Sequence, residues 1–160
     1  MDGNAAYPGG FANRERDKSR IRVMIVDDSL VARTVLSRIV LAEADIDIVA
    51  KATTGEMAIE RLSETAVDVI LLDLEMPGMG GIGALPRIID LAREAKVLVV
   101  SSLTERGAEA TLSALAMGAA DTLLKPRSGS VQLDGDAILA LSDAARAKLL
   151  GLLPQGAQTH

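Results

Sequence analysis

The chain contains no cysteine, and its one histidine is His160, the last of 160 residues. Without thiols there is no disulfide, no cysteine nucleophile and no cysteine–zinc site, and nothing indicates an oxidising compartment. A Ser-His-Asp hydrolase needs an imidazole held by its surroundings, and a terminal residue is rarely held in place. We therefore expect neither a thiol enzyme nor a triad hydrolase.

Aromatic residues are almost absent, since Tyr7 and Phe11 are the only ones and tryptophan is missing. The folded part must therefore pack with aliphatic side chains and methionine, and it offers no stacking platform for bases. A net charge of −5 also disfavours nucleic acid as a partner. No apolar run is long enough to span a membrane and no signal peptide is recognisable, so we predict a cytoplasmic protein without a membrane partner.

Three segments are predicted along the chain. Residues 1–20 are rich in glycine, asparagine and charge, which is typical of a disordered leader. Residues 21–150 are long enough for one domain, and residues 151–160 read as a tail or the beginning of a linker.

Within the domain, short apolar runs alternate with amphipathic stretches. Strands are predicted at 22–26, 46–50, 67–72, 97–100 and 122–124, and helices at 29–44, 56–64, 82–94, 106–117 and 136–150. Such alternation is typical of an α/β fold with a parallel sheet and helices on both faces. The simplest arrangement is a single doubly wound five-stranded sheet in the flavodoxin-like order 2-1-3-4-5, an order taken over from that fold rather than derived.

Polar residues stand where four of these strands end. Asp27 and Asp28 follow the first strand, Asp73 the third, Ser101 the fourth and Lys125 the fifth. The carboxyl ends of parallel strands meet at one edge of a sheet, so these groups should gather there. Clustered carboxylates repel one another unless a cation intervenes, and oxygen ligands favour Mg²⁺. With a lysine and a hydroxyl, they are the parts needed to bind a phosphoryl group and transfer it to a carboxylate.

Each of these residues also has a purely structural interpretation. Asp28 or Ser29 could cap the following helix, Asp73 could be a turn residue, and Ser101 or Ser102 could cap the helix after the fourth strand. Lys125 and Pro126 could simply mark the exit from the fifth strand. Their joint occurrence at four strand ends favours the functional interpretation.

Three stretches, 23–29, 72–81 and 118–126, together resemble the receiver domain of two-component response regulators. The resemblance covers about residues 22–126 and implies that Asp73 is the phosphoacceptor. It further implies that Asp28 and Asp73 bind Mg²⁺ directly, that Asp27 acts through water, and that the main-chain carbonyl of Glu75 is another ligand.

The same resemblance assigns roles to the remaining strand ends. Ser101 matches the switch hydroxyl that closes onto the phosphoryl group, and Lys125 matches the lysine that pairs with it, followed by a cis peptide bond to Pro126. The implied phosphodonor is a sensor histidine kinase, and the implied target is an output domain or a downstream protein.

A narrower resemblance, over 99–104, 109–115 and 118–121, is to the regulatory half of chemotaxis protein-glutamate methylesterases. It leaves two alternatives open, a fragment of such an enzyme or a free-standing receiver, and in either case this chain itself is not expected to be an enzyme. One departure matters: most receivers carry Tyr or Phe three residues before the lysine, where this chain has Thr122. The change that phosphorylation causes at the protein surface is then expected to involve Leu103, Thr122 and neighbouring helices.

Two rival functions are less well supported by the sequence. An Asp-nucleophile phosphatase would carry a D-x-D arrangement after the first strand, where this chain has Asp27-Asp28-Ser29. A dinucleotide-binding domain would need G-x-G-x-x-G at the same place, and the glycines of this chain follow the third strand instead.

Overall fold

The computed structural model describes residues 20–42, 45–76, 78–102, 104–124, 147–148 and 151. Within these ranges five strands are formed: β1 (Ile21–Val26), β2 (Ile46–Ala52), β3 (Val69–Asp73), β4 (Lys96–Ser101) and β5 (Asp121–Leu124). Four helices lie between them: α1 (Leu30–Leu41), α2 (Gly55–Leu62), α3 (Gly80–Leu91) and α4 (Glu105–Met117). The predicted leader apart from Arg20, the tail apart from Gly151, and most of the last predicted helix lie outside the described residues.

All strand pairs are parallel, in the order β2-β1-β3-β4-β5, which confirms the predicted topology. The register aligns Val26 of β1 with Leu72 of β3, and Asp73 of β3 with Val100 of β4. The ends of these three central strands therefore lie side by side, at what we call the carboxyl edge of the sheet.

Several element boundaries differ from the predicted ones. Strand β3 begins at Val69 and ends at Asp73, so this aspartate is the last residue of the strand and not the first of the loop. Its main chain continues the sheet pattern, since the N–H of Leu74 donates to the carbonyl of Val100 at 3.0 Å. Helix α1 begins at Leu30 and ends at Leu41, shorter than predicted, and α3 begins two residues earlier, at Gly80.

Both faces of the sheet are buried by aliphatic side chains that alternate along each strand. On one face, Val23 and Ile25 of β1 pack with Ile39 and Val40 of α1. On the other face lie α2, α3 and α4, whose buried residues form a second cluster with the strands: Met24, Val26, Ala58, Ile70, Leu72, Ala84, Leu85, Ile88, Val97, Val99 and Ala114. Burial on both sides explains why the central strands read as continuous apolar runs. No helix within the described ranges is long and apolar enough to cross a membrane.

The opposite, amino edge of the sheet is held by ion pairs where strands begin. Arg22 Nε and Nη2 donate to the carboxylate of Asp68 at 3.2 and 3.1 Å, and the Arg22 main-chain N–H donates to the same group at 2.8 Å. This arrangement joins the beginning of β1 to the residue that precedes β3.

Two further carboxylates at the amino edge are paired with basic side chains. Hydrogen bonds from Arg20 lower the pKa of Asp47. The main-chain N–H of Thr122 and the ammonium of Lys148, 3.0 Å away, lower the pKa of Asp121. At this edge, then, negative charge is matched by adjacent positive charge.

Candidate functional site

Three aspartates meet at the carboxyl edge of the sheet. Asp27 and Asp28 follow β1, Asp73 ends β3, and one carboxylate oxygen from each lies within 4.8 Å of the others. Asp27 and Asp73 are buried, at 0% and 1% exposure, whereas Asp28 is open to solvent. Parallel pairing of β1 with β3 is what brings residues 45 positions apart together, as the strand-end argument predicted.

Local hydrogen bonds orient the two buried carboxylates. Oδ1 of Asp27 accepts the N–H of Ser29, and Oδ1 of Asp73 accepts the N–H of Glu75, each at 2.9 Å. The half-buried Arg33 of α1 donates to the main-chain carbonyl of Asp27 at 2.8 Å, which places a positive charge beside the cluster. The side chains are thus held in position by their own loops.

The capping residue of α1 is Ser29, whose hydroxyl accepts the N–H of Ala32 at 3.2 Å. Thr104, not Ser101 or Ser102, caps α4 by accepting the N–H of Gly107 at 2.9 Å. The helix-capping interpretations of Asp28, Ser101 and Ser102 are therefore excluded, since other residues fill those positions.

The three carboxylates are chemically suited to a hard divalent cation. Mg²⁺ prefers oxygen ligands about 2.0–2.1 Å from the metal, which places pairs of its ligands about 3 to 4 Å apart. The carboxylate oxygens here lie within 4.8 Å of one another, and among the described residues the cluster consists of oxygen ligands alone. A divalent cation would also relieve the repulsion between three adjacent negative charges.

The main chain around Asp73 is closely packed against the beginning of α3. A Cβ atom on Gly81 would lie 2.2 Å from the carbonyl oxygen of Asp73 and 2.8 Å from Cα of Leu74. Only glycine allows this approach, so α3 fixes the strand end that presents the Asp73 carboxylate.

Ser101 ends β4 and is buried, with 4% of its surface exposed. Its Oγ lies 2.5 Å from Oγ1 of Thr111 in α4, and Oγ1 of Thr111 donates to the carbonyl of Gly107 at 2.8 Å. The hydroxyl of Ser101 is thus bonded to a helix of the sheet's second face.

Glu75 connects the loops that follow β3 and β4. Its carboxylate accepts the N–H of Ser102 at 2.7 Å and the Ser102 hydroxyl at 2.9 Å. The two loops that flank Asp73 and Ser101 are therefore joined by a pair of charge-assisted hydrogen bonds.

The structure brings together Asp27, Asp28 and Asp73, as predicted, while the predicted Lys125 and its cis bond to Pro126 lie outside the described residues. Leu103, expected to help in the surface response, lies outside them too. The role of the Glu75 main-chain carbonyl as a ligand of Mg²⁺ remains a prediction.

Sequence reasoning missed three contacts at this edge: the Arg33 bond to Asp27, the Glu75 carboxylate bond to Ser102, and the Thr111 bond to Ser101. One signal was available for Thr111, which shares a helix face with Gly107 and Ala114, both buried against the sheet.

Comparison with known proteins gives a consistent match. The model of the response regulator receiver domain family matches residues 23–133. The chain is 40% identical to a protein-glutamate methylesterase/protein-glutamine glutaminase of Paramagnetospirillum magneticum over 139 residues, which are 84% of this chain and 36% of that relative. The chain thus spans about a third of the length of such relatives.

Solved structures agree with this match. The response regulator domain of CheB from Thermotoga maritima is 39% identical, with a TM-score of 0.72 over 83% of this chain and 96% of that one. A CheX-CheY-BeF3-Mg²⁺ complex from Borrelia burgdorferi contains a chain that is 28% identical, with a TM-score of 0.61 over 79% of this chain and 89% of that one.

Proposed function

Because the chain belongs to the response regulator receiver domain family, we propose that its phosphoacceptor is Asp73 and that Mg²⁺ is required for the transfer. The observation that carries the proposal is the meeting of three aspartates within 4.8 Å at the end of the central strands. Asp73 is the member of that set on β3, where the register aligns it with Val100 of β4, the residue before Ser101.

Asp28 and Asp73 are proposed as direct ligands of Mg²⁺, with Asp27 acting through water and the Glu75 carbonyl completing the protein ligands. The all-oxygen donor set and its span support this assignment. The complex with BeF3 and Mg²⁺ formed by a related chain supports it as well. Bound Mg²⁺ supplies positive charge for the transferring phosphoryl group.

In the proposed transfer, a carboxylate oxygen of Asp73 attacks the phosphorus of a phosphohistidine on a sensor histidine kinase. A P–O bond to Asp73 forms as the P–N bond breaks, and the released imidazole nitrogen takes up a proton from solvent. Asp73 is suited to this attack because the Glu75 N–H and the packing at Gly81 hold its position. Lys125 is proposed to pair with the phosphoryl oxygens and Ser101 to donate its hydroxyl to them.

The proposed target is an output domain or a downstream protein in chemotaxis signalling, with the methylesterase lineage indicated by the relatives. On this proposal the chain is the regulatory part of a cytoplasmic methylesterase or a free-standing receiver, and no reaction beyond the acceptance and loss of a phosphoryl group takes place on it. The rival Asp-nucleophile phosphatase is not favoured, because the family match is to receiver domains.

Phosphorylation with acetyl phosphate and Mg²⁺ tests the proposal, with the modified residue identified by mass spectrometry. We expect one phosphoryl group on Asp73, and no incorporation in Asp73→Asn or when EDTA removes the metal. Asp90→Asn, on the exposed surface of α3, is the matched control and should be modified like the wild type. Incorporation at an unchanged level in Asp73→Asn would refute the assignment.

A further inference from the structure

A short chain of hydroxyl hydrogen bonds runs from the end of β4 into α4. Ser101 Oγ and Thr111 Oγ1 are 2.5 Å apart, and either atom is placed to donate. Thr111 Oγ1, however, already donates to the carbonyl of Gly107 at 2.8 Å. Because a hydroxyl carries one hydrogen, Ser101 must be the donor and Thr111 the acceptor.

This assignment means that the hydrogen of Ser101 is committed to the helix in this conformation. A phosphoryl group on Asp73 presents only acceptor oxygens, so Ser101 can bond to it only by withdrawing that hydrogen from Thr111. A hydrogen bond to an anion is roughly twice as strong as one between neutral groups, so the exchange is favourable once the phosphoryl group is present.

We propose that Thr111 is a positioning residue that holds the Ser101 hydroxyl away from the site in the unphosphorylated protein and is released on phosphorylation. The inference rests on the roles proposed above for Asp73 and Ser101. Thr111 lies in α4, whereas Asp73 and Ser101 lie at strand ends. Through Thr111, phosphorylation of Asp73 would change the packing at the outer surface of the domain.

The position of Thr111 explains how that signal reaches the surface. Thr111 lines a cavity of about 390 Å³ between α4 and β5, together with Ser101, Leu112, Thr122 and Leu124. Leu112 and Leu124 are 69% and 51% exposed, so the outer part of this cavity is an apolar groove. When Ser101 leaves, Thr111 loses a partner in the wall of the groove.

This arrangement is compatible with the absence of an aromatic residue at position 122. Thr122, where most receivers carry a ring, lies in the same cavity wall as Thr111. A hydroxyl that changes partner needs no ring to rotate, so coupling between Ser101 and α4 is compatible with an entirely aliphatic domain.

The test uses Thr111→Val, which keeps the side-chain shape and removes the acceptor, in the full chain with acetyl phosphate and Mg²⁺. A neutral hydrogen bond no longer has to be broken, so we expect the ratio of phosphorylated to unphosphorylated protein at limiting acetyl phosphate to rise about fivefold. Thr111→Ser retains the hydroxyl and should restore the wild-type ratio. Ser113→Ala, on the exposed side of the same helix, should leave it unchanged.

Coupling to Ser101 separates a positioning role from a merely structural one. In a Ser101→Ala background, Thr111→Val should no longer change the ratio, because the bond is already absent. The inference is overturned if Thr111→Val leaves the ratio unchanged or if its effect persists without the Ser101 hydroxyl. Failure of the proposed function has a different signature, since Asp73 would then remain unmodified in the wild type.

Discussion

Three carboxylates at the amino edge of the sheet bond to basic side chains, whereas three at the carboxyl edge gather within 4.8 Å of one another. The two sets lie at opposite edges of one parallel sheet, some 15 to 20 Å apart for strands of this length. At the amino edge the charges are neutralised within the fold and contribute to stability. At the carboxyl edge negative charge is concentrated, which costs stability and prepares a site for a cation and a phosphoryl group.

One sheet thus carries stabilising ion pairs at its amino edge and a site for a cation and a phosphoryl group at its carboxyl edge. The shared interior is aliphatic and buried on two sides, and none of the charged groups at either edge takes part in its packing. Hydrophobic burial is the dominant favourable term in folding, and it offsets the repulsion concentrated at the functional edge.

The largest effect is expected where the carboxyl edge is most closely packed. Gly81→Ala places a Cβ atom 2.2 Å from the Asp73 carbonyl, and a main-chain atom cannot yield as a side chain does. We expect the free energy of unfolding, measured by urea denaturation, to fall by about 3 kcal/mol.

Gly83→Ala is the matched control, since its nearest neighbour is Cγ of the flexible, partly exposed Met79 at 3.0 Å. It should change stability by less than about 1 kcal/mol, in either direction. Equal losses in the two variants would show that the contact with Asp73 has no special importance.

The second-largest effect is expected when the ion pair between Arg22 and Asp68 at the amino edge is broken. Asp68→Ala removes the acceptor of three hydrogen bonds from Arg22, two of them from its guanidinium. Charge-assisted bonds of this kind lead us to expect a loss of about 2 kcal/mol, with phosphorylation by acetyl phosphate retained in the folded protein. Asp90→Ala, an exposed carboxylate, should cost less than about 0.5 kcal/mol. A variant that stays folded but no longer accepts phosphate would contradict the division of tasks between the edges.

Removing a carboxylate charge at the carboxyl edge should raise the free energy of unfolding, whereas removing one at the amino edge should lower it. Asp28→Asn lessens the repulsion among the three aspartates, so the metal-free protein should unfold less readily. At the same time Mg²⁺ affinity, measured by calorimetric titration, should fall at least about tenfold, or about 1.4 kcal/mol. A variant that is destabilised without metal, yet binds Mg²⁺ normally, would assign Asp28 to the scaffold instead.

The smallest effect concerns pH and the surface ion pairs. The pKa values of Asp47 and Asp121 are lowered in the folded protein, so their stabilising contribution is complete above the unfolded-state pKa of 3.8 and is lost as pH falls through the lowered folded values. Lys148→Ala should cost about 0.2–1 kcal/mol at neutral pH, because the pair is partly exposed.

This Lys148→Ala loss should disappear in acid, once Asp121 is protonated in both states. Lys51→Ala, an exposed lysine of β2, serves as the control and should show no such dependence on pH. A Lys148→Ala loss that is the same at acid and neutral pH would indicate that the side chain acts by packing.

The strands and the polar residues at their ends could be predicted from periodicity, whereas the order of the strands was taken over from the flavodoxin-like fold. Apolar runs locate strands, and parallel pairing brings Asp27, Asp28 and Asp73 to one edge whatever the details of packing. The bond that Arg33 donates to Asp27 and the bond that Thr111 accepts from Ser101 were not predictable in that way. They depend on how each helix is rotated about its axis, and that rotation is decided by packing against the sheet rather than by a local pattern.

The strand boundaries illustrate the same limit on a smaller scale. Asp73 was expected just after its strand and is the final residue within it, because its pairing with β4 continues one residue further than the apolar run. Polar residues at a functional edge can still belong to the sheet, and hydrophobicity alone does not show this.

The ring-free interior makes changes in the methyl chemical shifts of this domain simple to interpret. From Ala12 to Thr159 the chain has no aromatic ring, so no ring currents from within this stretch spread the methyl signals of the core in a magnetic resonance spectrum. Any methyl shift on phosphorylation would then report changes in packing and charge directly. Val40 of α1 and Ile88 of α3 lie on opposite faces of the sheet and provide separate probes of the two layers.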